Sequence, residues 1–263
     1  MKSWEAQLVF AIFFLLATIS LFFFVFTRGA LLLRALSADG RDESSHVYPM
    51  YSNMWLIKLV DFQPVIAAIL LFQYDALVSK IVCEIAQAGT ANMRVLVTSC
   101  AFGNVIPGVV RASVEAGASR ILVTDLIPNE LTNARSKLGA DADRVEFVLD
   151  NATSLKERDG SVDINVIFFL LHELPHPMKI LALREAGRVL APGGKLLLAE
   201  FHRPTAPVLR ALSWMYFTVF EPLGLALWSS HDPVRCLEEI GGWSCGRSTY
   251  LLGNYQVVVA TKV

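Results

Sequence analysis

Residues 94–125 read RVLVTSCAFGNVIPGVVRASVEAGASRILVTD and decide the fold class. Two β-branched runs, Arg94–Thr98 and Arg120–Asp125, flank a stretch with helical apolar spacing at 106–116. A strand, a helix and a second strand in this order are typical of a β-α-β unit. The segment therefore predicts a parallel sheet that is covered by helices.

The same alternation continues to the C-terminus. Pro128 is suited to the first turn of a helix, and Ala191-Pro192-Gly193-Gly194 is a strong helix stop. We predict an α/β fold with a doubly wound, mostly parallel sheet of seven strands. Further helices are expected at 128–138 and 177–190, and further strands at 145–150, 164–169, 195–201, 248–252 and 256–261.

The N-terminal segment is apolar enough to cross a membrane. Residues 8–27 read LVFAIFFLLATISLFFFVFT and carry no charge, and about 20 apolar residues span the hydrocarbon core. Arg28, Arg34 and Arg41 follow the segment, which favours a cytoplasmic position for the chain behind it. A cleaved signal peptide is an alternative, but such peptides have shorter apolar regions. We therefore predict a single-pass transmembrane helix in the inner (cytoplasmic) membrane.

Three regions follow from these patterns. Residues 1–45 are predicted as the transmembrane anchor and a polar linker, and 46–92 as an apolar helical segment. Residues 93–263 form the α/β domain, which carries an apolar insertion at 203–230. The insertion is expected to be a lid or an interfacial helix, and it either forms an apolar channel with residues 65–72 or packs on the sheet.

Composition excludes several classes of protein. The 263 residues are 54% hydrophobic and 18% charged, with a net charge of −1. A near-neutral chain has no broad basic surface for nucleic acid. Four cysteines without a CxxC spacing indicate neither a zinc site nor a disulfide scaffold.

Polar residues follow the first three predicted strands. Ser99-Cys100-Ala101-Phe102-Gly103-Asn104 follows the first, Asp125 ends the second, and Asp150-Asn151 ends the third. An acid after the second strand can bind both hydroxyls of a ribose, and an acid or amide after the third can accept from an adenine amino group. A nucleoside pocket is predicted, although each Asp taken singly could instead be a helix cap or a turn residue.

A second group follows the fourth and fifth strands. His172 and Glu173 come after the fourth strand, and Glu200 and His202 lie at the end of the fifth. If these strands are neighbours, the four side chains converge on one rim. Imidazole and carboxylate groups bind Mn, Fe or Zn and also act as general bases. A cap role for Glu173 and a solvated loop position for His202 are the ordinary alternatives.

The chain resembles the class I S-adenosylmethionine-dependent methyltransferases. Residues 95–104, VLVTSCAFGN, are similar to their first motif VLDxGCGxGN, and 191–196, APGGKL, to a late motif. Val97, Ser99 and Ala101 depart from the pattern, which places the shape of the sulfonium and amino-acid end in doubt. The resemblance implies S-adenosylmethionine as cofactor, bound by Thr98, Ser99, Cys100, Ala101, Gly103, Asp125, Asp150 and Asn151.

A more specific resemblance is to the rhodoquinone-biosynthesis family RquA. It is carried by FFLLHELP at 168–175, EFHRP at 200–204 and FEPLGLALW at 220–228. The resemblance implies replacement of a ring methoxy group of ubiquinone by an amino group, with S-adenosylmethionine as amino donor and Mn²⁺ implicated. His172, Glu173 and His202 are the catalytic candidates. The candidate metal ligands are His172, Glu173, Glu200, His202 and Glu221.

Two other functions stay open. A quinone or lipid methyltransferase would use the same cofactor for methyl transfer. A binding protein for S-adenosylmethionine or quinone could keep the fold without catalysis. In each case the expected partners are a lipid quinone and the membrane.

Overall fold

The computed structural model describes residues 51, 53–89 and 92–263, which contain seven strands. The strands are β1 Arg94–Thr98, β2 Arg120–Asp125, β3 Glu146–Leu149, β4 Val162–Phe168, β5 Leu190–Phe201, β6 Trp243–Tyr250 and β7 Tyr255–Lys262. The helices are α1 Met54–Val60, α2 Gln63–Ile69, α3 Tyr74–Ala88, α4 Val105–Glu115, α5 Pro128–Leu138, α6 His176–Val189, α7 Pro207–Phe220 and α8 Pro233–Ile240, with 3₁₀ turns at Gly139–Arg144 and Pro222–Trp228.

The strands form one sheet in the order β3-β2-β1-β4-β5-β7-β6. The first five strands pair in parallel, whereas β7 runs antiparallel to both β5 and β6. The chain first builds outward through β2 and β3 and then returns to place β4 on the other side of β1. Ligands of such sheets bind beyond the carboxyl ends of the strands at this reversal.

The core explains why the central strands read as continuous apolar runs. Val95, Leu96 and Val97 of β1 are each at most 2% exposed, and the 196–199 run of β5 is fully buried. Strands covered on both faces need apolar side chains at every position. The predicted α/β fold with its mostly parallel seven-stranded sheet is confirmed.

The predicted boundaries differ most from the observed ones at the starts of β5 and β6: β5 begins at Leu190 rather than at residue 195. β6 begins at Trp243 rather than near residue 248. It is an edge strand whose side chains alternate between exposed and half-buried positions and include Gly246. An edge strand of this composition lacks the apolar run that marks a central strand.

The described residues before the sheet form α1, α2 and α3. Pro64 lies in the first turn of α2, where the missing N–H costs no hydrogen bond. The predicted anchor at residues 1–45 lies outside the described residues. Within the described part, no single helix is long and apolar enough to cross a membrane. Of the described helices, only α2 and α3 taken together have the length and composition of a membrane span, and they are bent by 100° relative to each other.

Candidate active site

A cleft opens at the carboxyl ends of β1, β2, β3 and β4, at the reversal of strand order. It brings together the predicted nucleoside-binding acids and Glu173, one of the candidate catalytic residues. The lining residues are Tyr51, Ser99, Cys100, Thr124, Asp125, Leu126, Ile127, Glu130, Asp150, Asn151, Ala152, Leu170, Glu173 and Leu174.

Asp125 joins the ends of β1 and β2. Its Oδ2 atom accepts from the Cys100 backbone N–H at 2.6 Å and from the Ser99 hydroxyl at 3.2 Å, and its Oδ1 atom accepts from the Ile127 N–H at 2.7 Å. Burial raises the pKa of Asp125, and these donors oppose the rise. The carboxylate therefore shapes the loop after β1 and also faces the cleft.

Asp150 and Asn151 form a turn at the end of β3. Asp150 accepts from the backbone N–H groups of Asn151 and Lys156, each at 2.9 Å, and Asn151 accepts from the Thr153 N–H. The ordinary turn role is thus present, and both residues also line the cleft. Thr98, also predicted to bind the cofactor, is buried and does not line the cleft, and its hydroxyl donates to Asn165 at 2.8 Å.

The loop after β1 holds its shape without the usual glycines. Ser99 has φ +73°, a left-handed conformation that costs a non-glycine residue about 1–2 kcal/mol. Gly103 is required for a different reason: a Cβ there would lie 2.5 Å from the Tyr74 hydroxyl oxygen. That hydroxyl donates to the Phe102 carbonyl and accepts from the Val105 N–H, each at 2.8 Å. The retained glycine therefore makes room for a tyrosine of α3.

A salt bridge from outside the sheet fixes the same loop. The Lys137 ammonium lies 2.7 Å from Asp61 and donates to the carbonyls of Ala101 at 3.2 Å and Gly103 at 2.9 Å. Asp61 in turn accepts from the Gly103 N–H at 2.7 Å. Ala101 and Gly103, both predicted to bind the cofactor, do not line the cleft. The α1–α2 connection and α5 thus hold the loop that the glycines would otherwise shape.

The second group centres on His172 and Glu200. The Nδ1 atom of His172 lies 3.1 Å from Oε1 of the fully buried Glu200, and the His172 N–H donates to Oε2 at 3.2 Å. Glu200 also accepts from the Phe201 N–H at 2.8 Å. On the other side, Nε2 of His172 lies 3.9 Å from Glu173, which accepts a 2.7 Å hydrogen bond from the Tyr51 hydroxyl.

Burial and charge shift the pKa of two groups in this chain of contacts. Burial alone would lower the pKa of His172, but the Glu200 carboxylate and its hydrogen bond raise it to about 9. Burial raises the pKa of Glu173 to about 7, although His172 and Tyr51 oppose the rise. At neutral pH the imidazole is therefore a cation held by Glu200, while Glu173 exchanges a proton readily.

Lys179 supports the turn that carries His172 and Glu173, and no pattern in the sequence pointed to it. Its ammonium is buried and donates to the carbonyls of Leu171 and Leu174, each at 2.6 Å. Burial lowers the pKa of Lys179 to about 8. The two carbonyls flank the two candidate residues, so this cation fixes the backbone between them.

His202 makes its side-chain contacts with the β6–β7 region. Its Nδ1 atom lies 2.7 Å from the Gly253 carbonyl and its Nε2 atom 3.0 Å from Arg247. Both ring nitrogens are thus engaged with the β6–β7 end of the sheet. The charge of Glu221, by contrast, acts on His172 and raises its pKa.

The predicted manganese site is not supported by the side chains. Among the described residues, no three His, Cys, Asp or Glu side chains are arranged to hold a metal ion. Glu200 already accepts from two backbone N–H groups and contacts the His172 ring. We therefore derive no catalytic step through a metal.

The cleft does fit a nucleoside cofactor. Asp125 and Asp150 offer acceptors at the strand ends, and Glu130 lines the same cleft with a buried Oε1 atom that has no partner among the described residues. Buried polar atoms are almost always paired in folded proteins. Hydroxyl and amino groups of a ligand would supply the missing donors.

Comparison with known proteins finds curated relatives that are named as methyltransferases. The chain is 35% identical over 124 residues to a demethylmenaquinone methyltransferase of Clavibacter sepedonicus, covering 47% of this chain and 49% of that protein. It is 32% identical over 127 residues to the ubiquinone/menaquinone biosynthesis C-methyltransferase UbiE of Roseobacter denitrificans, covering 47% and 50%. The chain thus spans about half the length of the curated relatives it matches.

Solved structures share the fold. A SAM-dependent methyltransferase from Aquifex aeolicus has a TM-score of 0.56 and 20% identity, covering 80% of this chain and 99% of that one. The magnesium protoporphyrin IX methyltransferase of Synechocystis, solved with bound SAH, has a TM-score of 0.51 and 14% identity, covering 71% and 81%. The ubiE/COQ5 methyltransferase family model matches residues 61–240, well over half of the chain. This chain therefore belongs to the ubiE/COQ5 methyltransferase family.

Proposed function

We propose that the chain is an S-adenosylmethionine-dependent enzyme that transfers a methyl group to a ring carbon of a lipid quinone precursor. One observation carries this proposal: Glu173, a carboxyl group poised to exchange a proton, lines the same cleft as Asp125 and Asp150. Membership of the ubiE/COQ5 family and the names of the two relatives supply the reaction class and the quinone.

The residues have separate tasks in this proposal. Asp125 and Asp150 hold the nucleoside, and the cofactor supplies an electrophilic methyl group when bound. A ring carbon that gains a methyl group must lose a proton, and Glu173 is placed to accept it. His172, held as a cation by Glu200, lies 3.9 Å from Glu173 and favours its ionised form, the form that accepts the proton.

A second candidate function is the amino transfer that converts ubiquinone to rhodoquinone. The specific observation in its favour is the loop after β1, where Ser99 and Ala101 replace glycines and the Lys137–Asp61 pair holds the backbone. An altered loop would present the amino-acid end of the cofactor differently to the substrate. The same cleft and the same Glu173 would then take part in replacing a ring methoxy group by an amino group.

One experiment separates the two candidates. The chain is expressed in two bacterial hosts, one that makes ubiquinone but no rhodoquinone and a derivative of it whose own quinone C-methyltransferase has been deleted. Lipid quinones are then analysed by mass spectrometry. We expect the missing methylated quinone to reappear. A quinone that carries an amino group in place of a methoxy group would instead establish the second candidate, and neither product, from folded protein, would contradict both.

We further propose that the chain works at the inner (cytoplasmic) membrane with its α/β domain on the cytoplasmic side. The uncharged residues 8–27 support an anchor. Apolar side chains that stay exposed support a surface on the bilayer, since such patches mark interaction sites. They include Trp55 at 67% exposed and Phe72 at 79% before the sheet, and Val208 at 74%, Leu212 and Met215 on α7.

Replacing exposed apolar residues of α7 by glutamate tests whether the quinone reaches the cleft from the bilayer. In the double variant Leu212→Glu/Met215→Glu we expect turnover of a long-tailed quinone in vesicles to fall at least fivefold, because the face no longer enters the lipid. Turnover of a short-tailed, water-soluble quinone should stay within twofold. Leu181→Glu, an exposed leucine on α6, serves as the control. Equal turnover of the long-tailed quinone in both variants would contradict a lipid-facing α7.

A further inference from the structure

Glu130 is an acidic residue in the first turn of α5 whose side chain is buried. Its side chain is 3% exposed, and its Oε1 atom has no hydrogen-bond partner among the described residues. A buried polar atom without a partner destabilises the folded state. An apolar residue would stabilise this position better, so packing does not explain the glutamate.

The surroundings of Glu130 are those of the cleft. It lines the cleft together with Asp125, Asp150 and Glu173. Burial and the charge of Asp125 raise the pKa of Glu130 to about 8, against the opposing charge of Lys137. The oxygens of Asp125 and Asp150 already accept from backbone N–H groups. Glu130 thus offers a buried acceptor atom that no donor among the described residues uses.

We propose that Glu130 is a ligand-binding residue whose unpartnered Oε1 atom accepts a hydrogen bond from a hydroxyl or ammonium group of the bound adenosyl cofactor. This inference rests on the proposed function. The donor is either a ribose hydroxyl or the ammonium group of the amino-acid end, because both are N–H or O–H donors. Glu130 was not among the residues that the sequence patterns indicated.

The test compares stability and binding in two variants. Glu130→Leu removes the acceptor and the buried polar atom, so we expect the unliganded full chain to melt at a higher temperature and to bind S-adenosylmethionine at least tenfold more weakly. Glu130→Gln keeps an acceptor oxygen and should lose less affinity. Glu115→Gln, an exposed glutamate at the end of α4, is the matched control and should bind as the wild type does.

Two further ligands identify the donor. Methylthioadenosine keeps the ribose and lacks the amino-acid end, whereas S-adenosylhomocysteine keeps both. The affinity for each ligand is measured by calorimetry. If Glu130→Leu loses affinity equally for all three ligands, the donor is assigned to the ribose. A loss confined to the two amino-acid-bearing ligands assigns it to the ammonium group.

The inference and the proposed function fail in different ways. Wild-type affinity for all three ligands in Glu130→Leu would overturn the role of Glu130 and leave the proposed function intact. A lower melting temperature in both variants with unchanged affinity would show a structural role and would likewise overturn it. A wild-type chain that binds none of the three ligands would overturn the proposed function and this inference together.

Discussion

Replacing Glu173 by glutamine should lower turnover by about 10²–10⁴-fold, the usual contribution of a positioned general base. The carboxyl group lines the cleft and accepts from Tyr51 at 2.7 Å. Glutamine keeps the shape and the acceptor for Tyr51 but cannot take a proton. Because burial disfavours the charged form of Glu173, the variant should keep its melting temperature and its affinity for S-adenosylmethionine within about threefold.

The pH dependence of turnover gives a second signature of Glu173. Its pKa of about 7 is above the ordinary value, so the group is protonated below neutral pH and ionised above it. A base must be ionised to act, so turnover should rise with pH with a midpoint near 7. This rise of turnover with pH should be absent from the residual activity of Glu173→Gln.

Tyr51→Phe is the companion variant for this profile. The hydrogen bond from Tyr51 favours the ionised form of Glu173 and lowers its pKa. Without this hydrogen bond, the rise of turnover with pH should shift to higher pH. At pH values above the rise, turnover of the variant should equal that of the wild type. Steady-state rates measured from pH 5.5 to 9 decide the matter. A profile that does not move in Tyr51→Phe, or more than a tenth of the turnover retained by Glu173→Gln, would remove Glu173 from the proton transfer.

The grouping of the cleft could be predicted from sequence because parallel strands end at the same edge of a sheet. Asp125, Asp150 and Glu173 each follow a β-branched run, and strand alternation alone places them together. The same reasoning placed His202 beside His172. In the structure, the Gly253 carbonyl and Arg247, in the β6–β7 region, engage both nitrogens of the His202 ring.

The supporting contacts could not be predicted because they join distant parts of the chain. Tyr51 reaches Glu173 across 122 residues, and Lys137 reaches Asp61 across 76. Neither pair has a local pattern, since the contact exists only after the helices pack. Glu130 falls in the first turn of α5, where an acidic residue is ordinary, so nothing in the sequence separates it from a solvated glutamate.

Glu200→Gln should lower the free energy of unfolding by about 3–5 kcal/mol at neutral pH, the usual cost of removing one partner of a buried ion pair. Glu200 is fully buried and accepts from two backbone N–H groups as well as facing the His172 ring. The glutamine amide can accept through one oxygen only, and its NH₂ group would face donors. His172 would lose the carboxylate that holds its charge.

The pH dependence of this loss identifies the pair. The folded-state pKa of His172, about 9, is raised above its ordinary value of 6.5. The stabilisation from its charged form is therefore complete below about pH 6.5 and is lost as the pH rises through about 9. Urea unfolding of the wild type and of Glu200→Gln should consequently differ most at pH 6–7 and much less at pH 10.

A double-mutant cycle with His172→Gln isolates the interaction between the two side chains. If they act as a pair, the loss in the double variant should be smaller than the sum of the two single losses by more than 1 kcal/mol at pH 7. The coupling should approach zero at pH 10, where the imidazole is neutral. Additive losses at both pH values would mean that Glu200 serves only the backbone N–H groups of His172 and Phe201, and the cation at His172 would then have no assigned anchor.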